Sequence, residues 1–401
     1  MEPDPSPRPV LRLKPNADAR AIRHGAPWVH GDQIVWDRRS RAIPNGSIAE
    51  LQDAGRTPIA TVAVLPEARI AARILDRDPE AVIDRGWLTR RIAAALALRQ
   101  RLTDAPFYRL VNAEGDGLPG LIVDRFGDTA VVQPNAAWID ARLDDLTAAL
   151  RDVAGIAHVL KNASGRARAQ EGLDDLSAVL LGTPPDRVEV PMNGATYIAD
   201  LASGQKTGLF YDQRPNHAFA AALARDASVL DVFSHVGGFA LACLAQGASS
   251  ALAVDGSAPA LALAEEGARA SGVADRFTTE RADAFAAMEA LAADGRRFDV
   301  VICDPPAFAP SKAALTQGLR AYERVARLAA PLVAPGGVLI LCSCSHAATL
   351  EKFRTACLRG IGRAGRSPAL IHTGTAGPDH PIHPALSDTG YLKALAFHLA
   401  P

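Results

Sequence analysis

The stretches F-D-V-V-I-C-D-P-P (298–306) and G-V-L-I-L-C-S-C-S (337–345) decide the fold. Each is an apolar, β-prone run that stops abruptly at polar, reactive residues. Such a run suits a central strand buried on both faces of a parallel sheet. In open α/β sheets, ligands bind beyond the carboxyl ends of the strands. Asp304-Pro305-Pro306 and Ser343-Cys344-Ser345 are therefore expected to flank one pocket. A carboxylate and a thiol brought together there point to an enzyme that acts on a flat heterocycle.

Working outward, strand-like runs recur at 229–233, 251–255, 276–280, 298–303, 338–342, 369–372 and 391–399, mostly separated by alanine-rich helical segments. This alternation predicts a doubly wound α/β sheet. The last two runs are joined by a loop of Pro, His and Gly with no helix. So short a link can join antiparallel strands but not a parallel crossover. A Rossmann-like sheet with an antiparallel last strand is the class I methyltransferase form of the fold. Residues 1–9 read as a flexible tail, 10–80 as a small β-rich barrel or sandwich with a turn at Asn45-Gly46, and 81–190 as a middle α/β domain beginning with a helix near Trp87–Leu102. Residues 191–401 form the last domain.

Composition bounds the possibilities. A chain of 401 residues with net charge −1 holds two or three domains and does not advertise nucleic acid by overall basicity. Residues 1–104 carry 17 Lys and Arg against 13 Asp and Glu, and the remainder 26 against 31, so a basic tilt sits at the N-terminal end. The five cysteines are odd in number and lie mostly in apolar runs, which reads as reduced thiols. No Cys or His spacing suggests a metal, no apolar run is long enough for a membrane, and the N-terminus is not a signal peptide. A cytoplasmic protein without a membrane partner is expected.

The first run of the last domain ends D-V-F-S-H-V-G-G-F (231–239). Gly237 and Gly238 let the backbone bend and approach a ligand, and helix amides there suit an anion. Asp231, in the last part of this run, is expected to face the same ligand. Asp255, at the end of the next, can accept both hydroxyls of a ribose, and Asp283, after the third, can reach an adenine amino group. An adenosine-containing ligand is therefore expected. G-x-G-x-x-G and the P-loop are both absent, which disfavours a dinucleotide or ATP. Taken singly, Asp255 and Asp283 also read as helix N-caps. Asp304 and Pro305 complete this ligand's surroundings.

Four stretches carry a resemblance: R-L-V-N-A-E-G-D-G-L-P-G-L-I-V-D-R-F-G-D (109–128), G-Q-K-T-G-L-F-Y-D-Q-R-P-N-H (204–217), D-P-P-A-F-A-P-S-K (304–312) and S-C-S (343–345). With them the chain resembles the bacterial 23S rRNA cytosine-5 methyltransferase family of the RlmI type, from about Leu11 to Leu399. The resemblance implies a PUA-like RNA-binding domain, a middle domain and a methyltransferase domain. It implies S-adenosyl-L-methionine as cofactor. It implies large-subunit rRNA or its assembly particle as partner and leaves room for a homodimer. It assigns Cys344 as the nucleophile that adds to carbon-6 of cytosine and Asp304 as the residue that holds the base edge. Asp212, Gln213, Arg214, Pro306 and Phe308 are expected to line the pocket. Pro306 stands where many RNA cytosine-5 methyltransferases carry a second cysteine.

Rival readings stay open. A strand-end cysteine is commonly an inert core residue, and Cys342 and Cys303 are read that way. D-P-P also resembles the signature of amino-methyltransferases, which need no cysteine. A catalytically inactive RNA-binding module is the alternative of another class. His346 reads as a general base or an exposed loop residue. The loop holding His372, His380 and His383 reads as a pocket rim, without a metal.

Overall fold

The computed structural model describes residues 8–66, 68–201, 208–386 and 390–400. Most of the expected tail, and Gly204–Thr207 of the G-Q-K-T-G motif, lie outside the described residues. The chain forms two compact units, Met1–Pro185 with Asp379–Ser387, and Asp186–Pro378 with Asp388–Pro401.

The first unit holds two five-stranded sheets. In one, the order is Val10–Arg12, Ile48–Gln52, Pro58–Val64, Ile70–Asp76 and Trp28–His30. A bridge between Leu13 and Ile34 brings its two edges together, and Leu11, Val29, Leu51 and Val62 fill the interior. The barrel expected there is what this geometry gives. The other sheet runs Ala178–Leu181, His158–Lys161, Thr129–Pro134, Leu121–Phe126, Phe107–Asn112. The helix Arg85–Leu102 packs Trp87, Leu88 and Ile92 into the same core as Leu110 and Leu121 of that sheet. Asp84 starts this helix by accepting the Trp87 amide.

The motif at 109–128 proves to be scaffold. Arg99 is fully buried and forms a bidentate pair with Asp116 at 2.5 and 2.7 Å. Arg109 pairs with the buried Asp124. Such desolvated guanidinium–carboxylate pairs hold only when every donor is satisfied. Arg99 finds its last acceptor in the Asp379 carbonyl at 2.8 Å, the Asp379 carboxylate accepts the Arg109 amide, and Asn112 donates to the Pro381 carbonyl. The stretch carrying His380 and His383 is thus built into the first unit and is not a pocket rim. His380 is buried with its Nδ1 3.0 Å from Asp379 Oδ1. No group that could hold a metal occurs among the described residues.

The second unit opens with an antiparallel hairpin, Arg187–Met192 and Ala195–Asp200, across the Asn193-Gly194 turn. This hairpin spans the point at which the sequence divides the middle domain from the last. A helix at Arg214–Ala222 comes next. Then come strands β1 (Ser228–Val232), β2 (Ser250–Asp255), β3 (Phe277–Arg281), β4 (Phe298–Cys303), β5 (Val333–Ser343), β6 (Pro368–Gly374) and β7 (Lys393–Leu399). Their order in the sheet is β3-β2-β1-β4-β5-β7-β6. Pairing is parallel up to β5, and β7 runs antiparallel to both its neighbours. The crossover helices are α1 (Gly238–Ala245), α2 (Ala258–Ala270), α3 (Ala284–Ala293), α4 (Leu315–Ala329) and α5 (Leu350–Arg363). Leu230, Val301, Leu339 and Phe397 of the sheet share a core with Val325, Phe353 and Ile361 of the helices. Among the described residues no helix is long and apolar enough to cross a membrane.

Helices α4 and α5 meet at Gly360. A Cβ there would lie 2.3 Å from the Glu323 carbonyl oxygen and 2.7 Å from Ala326 Cβ. Helix propensity alone favours alanine over glycine by about 1 kcal/mol. Overpacking against backbone costs about 1–3 kcal/mol and should win. Gly360→Ala is expected to lower the urea midpoint of the second unit, and a raised midpoint would contradict this close approach.

Candidate active site

A cavity of about 450 Å³ opens beyond the carboxyl ends of β1, β2, β4 and β5. Apolar residues including Leu209, Phe210, Phe233, Phe239 and Leu392 line it. Of the residues singled out in the sequence, Asp212, Gln213, Gly238, Asp255, Asp304, Pro305, Pro306 and Cys344 all line this one space.

Asp255 ends β2. Its two oxygens accept the amides of His235 at 2.9 Å and Ser257 at 2.8 Å. These bonds fix the carboxylate and leave lone pairs for hydroxyl donors in the cavity. Asp304 comes directly after β4, and its amide continues the ladder to the Val232 carbonyl. Gln213 Nε2 donates to Asp304 Oδ2 at 2.9 Å, and Asn216 Nδ2 donates to Gln213 Oε1 at 2.7 Å. Tyr391 donates its hydroxyl proton to Asp212. The carboxylates of this wall are therefore aimed by the D-Q-R-P-N-H segment. Two polar atoms of the wall, Asp212 Oδ1 and Ser234 Oγ, are buried without a hydrogen-bond partner among the described residues.

Cys344 stands just past β5. It is half-buried and lines the cavity, whereas Cys243, Cys303, Cys342 and Cys357 are buried. Burial raises the thiol pKa of Cys303 and Cys342, as suits core residues. The serines on either side of Cys344 turn the other way. Ser343 Oγ donates to Tyr322 Oη at 2.9 Å, and Ser345 Oγ lies 2.7 Å from the same oxygen. Ser345 Oγ also accepts the Ala309 amide. Both serines are fully buried, so the turn is held from behind.

Other expected residues lie elsewhere. Asp231 does not reach the cavity. It is fully buried and accepts the Ala240 amide at 3.0 Å, capping α1 from below. Burial raises its pKa to about 7, opposed by the Ala240 hydrogen bond and reinforced by the charges of Asp304 and Asp255. The α1 amides expected to face an anion are thereby engaged: Gly237 and Gly238 donate to the Ser234 carbonyl, and Ala240 to Asp231. Gly237 takes φ 78°, which explains the glycine without a ligand. Asp283 is the exposed N-cap of α3, accepting the amides of Phe285 and Ala286. Phe308 packs between Phe233 and Tyr322. The Arg214 guanidinium lies over the Tyr211 ring at 5.3 Å. Neither residue lines the cavity. His346 tilts against Tyr391, with ring centroids 5.3 Å apart.

Sequence reasoning missed His217, Ser234, Phe233 and Tyr391. His217 closes the quoted D-Q-R-P-N-H segment, so its motif was visible and its placement was not. Its ring packs on Phe239, and a Cβ at Gly238 would come within 2.9 Å of it.

Residues 137–397 match a family described as S-adenosylmethionine-dependent methyltransferase, and residues 11–77 match a PUA-like domain. Curated relatives named ribosomal RNA large subunit methyltransferase I are similar over nearly the full chain. That of Alteromonas mediterranea is 34% identical, covering 96% of this chain and 97% of its own. That of Vibrio cholerae is 32% identical, covering 97% and 98%. A solved Streptococcus mutans structure, assigned to the SAM-dependent methyltransferases, matches at a TM-score of 0.81 and 18% identity, covering 97% of this chain and 100% of its own. That last likeness concerns the fold.

His217 has a pH signature. Burial lowers its pKa from 6.5 to about 3, so the folded ring stays neutral where the unfolded one takes a proton. Its contribution to stability is full above pH 6.5 and is lost as the pH falls toward 3. At about pH 5 the loss is about 2 kcal/mol. His217→Gln is expected to show a smaller drop in Tm between pH 7 and pH 5 than the unsubstituted protein. Equal drops would remove His217 as the source.

Proposed function

The chain belongs to the S-adenosylmethionine-dependent methyltransferases, in the family of ribosomal RNA large subunit methyltransferase I, and we propose that it methylates carbon-5 of a cytosine in large-subunit rRNA through a covalent adduct with Cys344. One observation carries this reading. Of the S-C-S triplet only the cysteine faces the cavity, beside Asp304, while both serines are tied back to Tyr322.

The cavity residues fit the cofactor. Asp255 presents a fixed carboxylate suited to a pair of ribose hydroxyls. The buried polar atoms of Asp212 and Ser234 await donors or acceptors, and the apolar wall from Phe233 to Phe239 suits an adenine face. When bound, S-adenosylmethionine supplies an electrophilic methyl group.

Carbon-5 of cytosine is a weak nucleophile by itself. The Cys344 thiolate adds to carbon-6, forming the S–C6 bond and pushing the C5–C6 π pair onto carbon-5. Asp304, aimed by Gln213, accepts from the amino edge of the base and so fixes the ring's position against the thiolate. Carbon-5 takes the methyl group, whose bond to the sulfonium sulfur breaks; its proton then passes to solvent, the S–C6 bond breaks, and the thiolate and the aromatic ring are restored. The target base must be unpaired or turned out of a helix to reach such a cavity. RNA contact falls to the PUA-like domain over residues 10–80, with residues 81–190 as a middle domain.

Cys344→Ala is expected to abolish methyl transfer while leaving S-adenosylmethionine binding by calorimetry intact. Retained turnover would overturn the covalent route in favour of methylation of an exocyclic amine. Asp255→Ala is expected to weaken S-adenosylmethionine binding by about tenfold or more, since a charged hydrogen bond contributes about 1.5–3 kcal/mol. Unchanged affinity would remove Asp255 from the ribose. Mass mapping of methylated nucleosides in rRNA treated with the protein identifies the base and the atom.

A further inference from the structure

Lys393 is the first residue of β7 and stands opposite Ser343 in the β5–β7 ladder. It is 6% exposed. Its ammonium donates to the carbonyl oxygens of Ser345 at 2.7 Å and Ala348 at 2.8 Å. These carbonyls belong to the turn that leaves Cys344. Among the described residues Lys393 makes no ion pair. A buried ammonium without a counter-charge is costly to keep, and two neutral carbonyls offset only part of that cost.

The Cys344 thiol, in the residue that enters this turn, can supply negative charge beside it. Burial lowers the Lys393 pKa, and the Cys344 sulfur opposes that shift. Other titratable groups surround the thiol. Asp304 after β4 and Asp212 before the helix Arg214–Ala222 line the same cavity. Tyr391 is bound to Asp212, and His346 tilts against Tyr391. Tyr322 of α4 sits behind the turn, with its hydroxyl pKa raised chiefly by burial and partly by Cys344. The two carboxylates disfavour a thiolate, and the charge of Lys393 favours one.

We propose that Lys393 is a positioning residue that clamps the turn after Cys344 and acts as the fixed cation opposite the Cys344 thiolate. This rests on the reading of Cys344 as the nucleophile. The thiol loses its proton to solvent, and the ammonium stays protonated throughout.

The test uses the full chain and iodoacetamide, with the alkylated peptide located by mass spectrometry, because the other four cysteines are buried. The unsubstituted protein is expected to alkylate at Cys344 with a half-maximal pH clearly below the ordinary thiol value of about 8.5. Lys393→Met is expected to raise that pH by roughly one to two units, and Lys393→Arg to keep it near the original. A midpoint at or above about 8.5 in the unsubstituted protein would overturn the proposal even if Lys393→Met did not fold. An unshifted midpoint in folded Lys393→Met would overturn it as well. Methyl transfer is read separately. If Cys344→Ala keeps its turnover while Lys393→Met shifts alkylation, the nucleophile reading falls and the charge pair stands.

Discussion

Everything in the second unit depends on the register that holds β4 between β1 and β5. Val232 stands opposite Cys303, and Cys303 stands opposite Leu341. All three strands therefore run out of ladder at nearly the same height. Each gives way to a polar turn, with Asp304 after β4 and Cys344 after β5. A slip of one residue would turn each strand's apolar set to the wrong face and scatter these turns. The apolar packing of Val301, Leu339 and Phe397 prevents such a slip. Chemistry at the top of the sheet is thus bound to hydrocarbon in its middle.

The polar residues around the cavity are held at some cost. Asp231 and His217 are both almost wholly removed from water, and each is pushed toward its neutral form. They serve as struts. Asp231 caps α1, and the His217 ring fills the space that Gly238 leaves open. Sites that must present several like charges to one ligand commonly rest on such neutralised supports. The charges of Asp304 and Asp255 add to burial in pushing Asp231 toward its neutral form.

Much of this was legible in the sequence, for definite reasons. Strands buried on both faces, such as β1 and β4, leave continuous apolar runs; six of the seven strands were placed to within a residue or two, and β5 by its C-terminal half alone. Asp304 and Cys344 were legible because a polar turn after such a run has nowhere else to go. The role of Asp231 was not legible, since a carboxylate at a strand end looks the same whether it meets a ligand or a helix amide. Asp283 was ambiguous in the same way and proved to be a cap. Lys393 gave no signal, because a lysine opening a strand is ordinarily solvated and only the β5–β7 pairing puts it behind Cys344. The P-D-H-P part of the last loop was misread as a pocket rim, because its partners Arg99 and Arg109 are far away in sequence.

That loop bears on how the chain acquires its shape during synthesis. Arg99 lies 280 residues before the carbonyl that completes its hydrogen bonds. A ribosome making the chain from its N-terminus exposes residues 1–185 of the first unit long before residue 379 emerges. Until then the Arg99 guanidinium keeps Asp116 but lacks one of its acceptors, and the Arg109 amide and the Asn112 side chain lack these partners. The first unit is therefore translated early yet completed only when residues 379–387 emerge, and a fragment cut at residue 185 would carry this vacancy permanently.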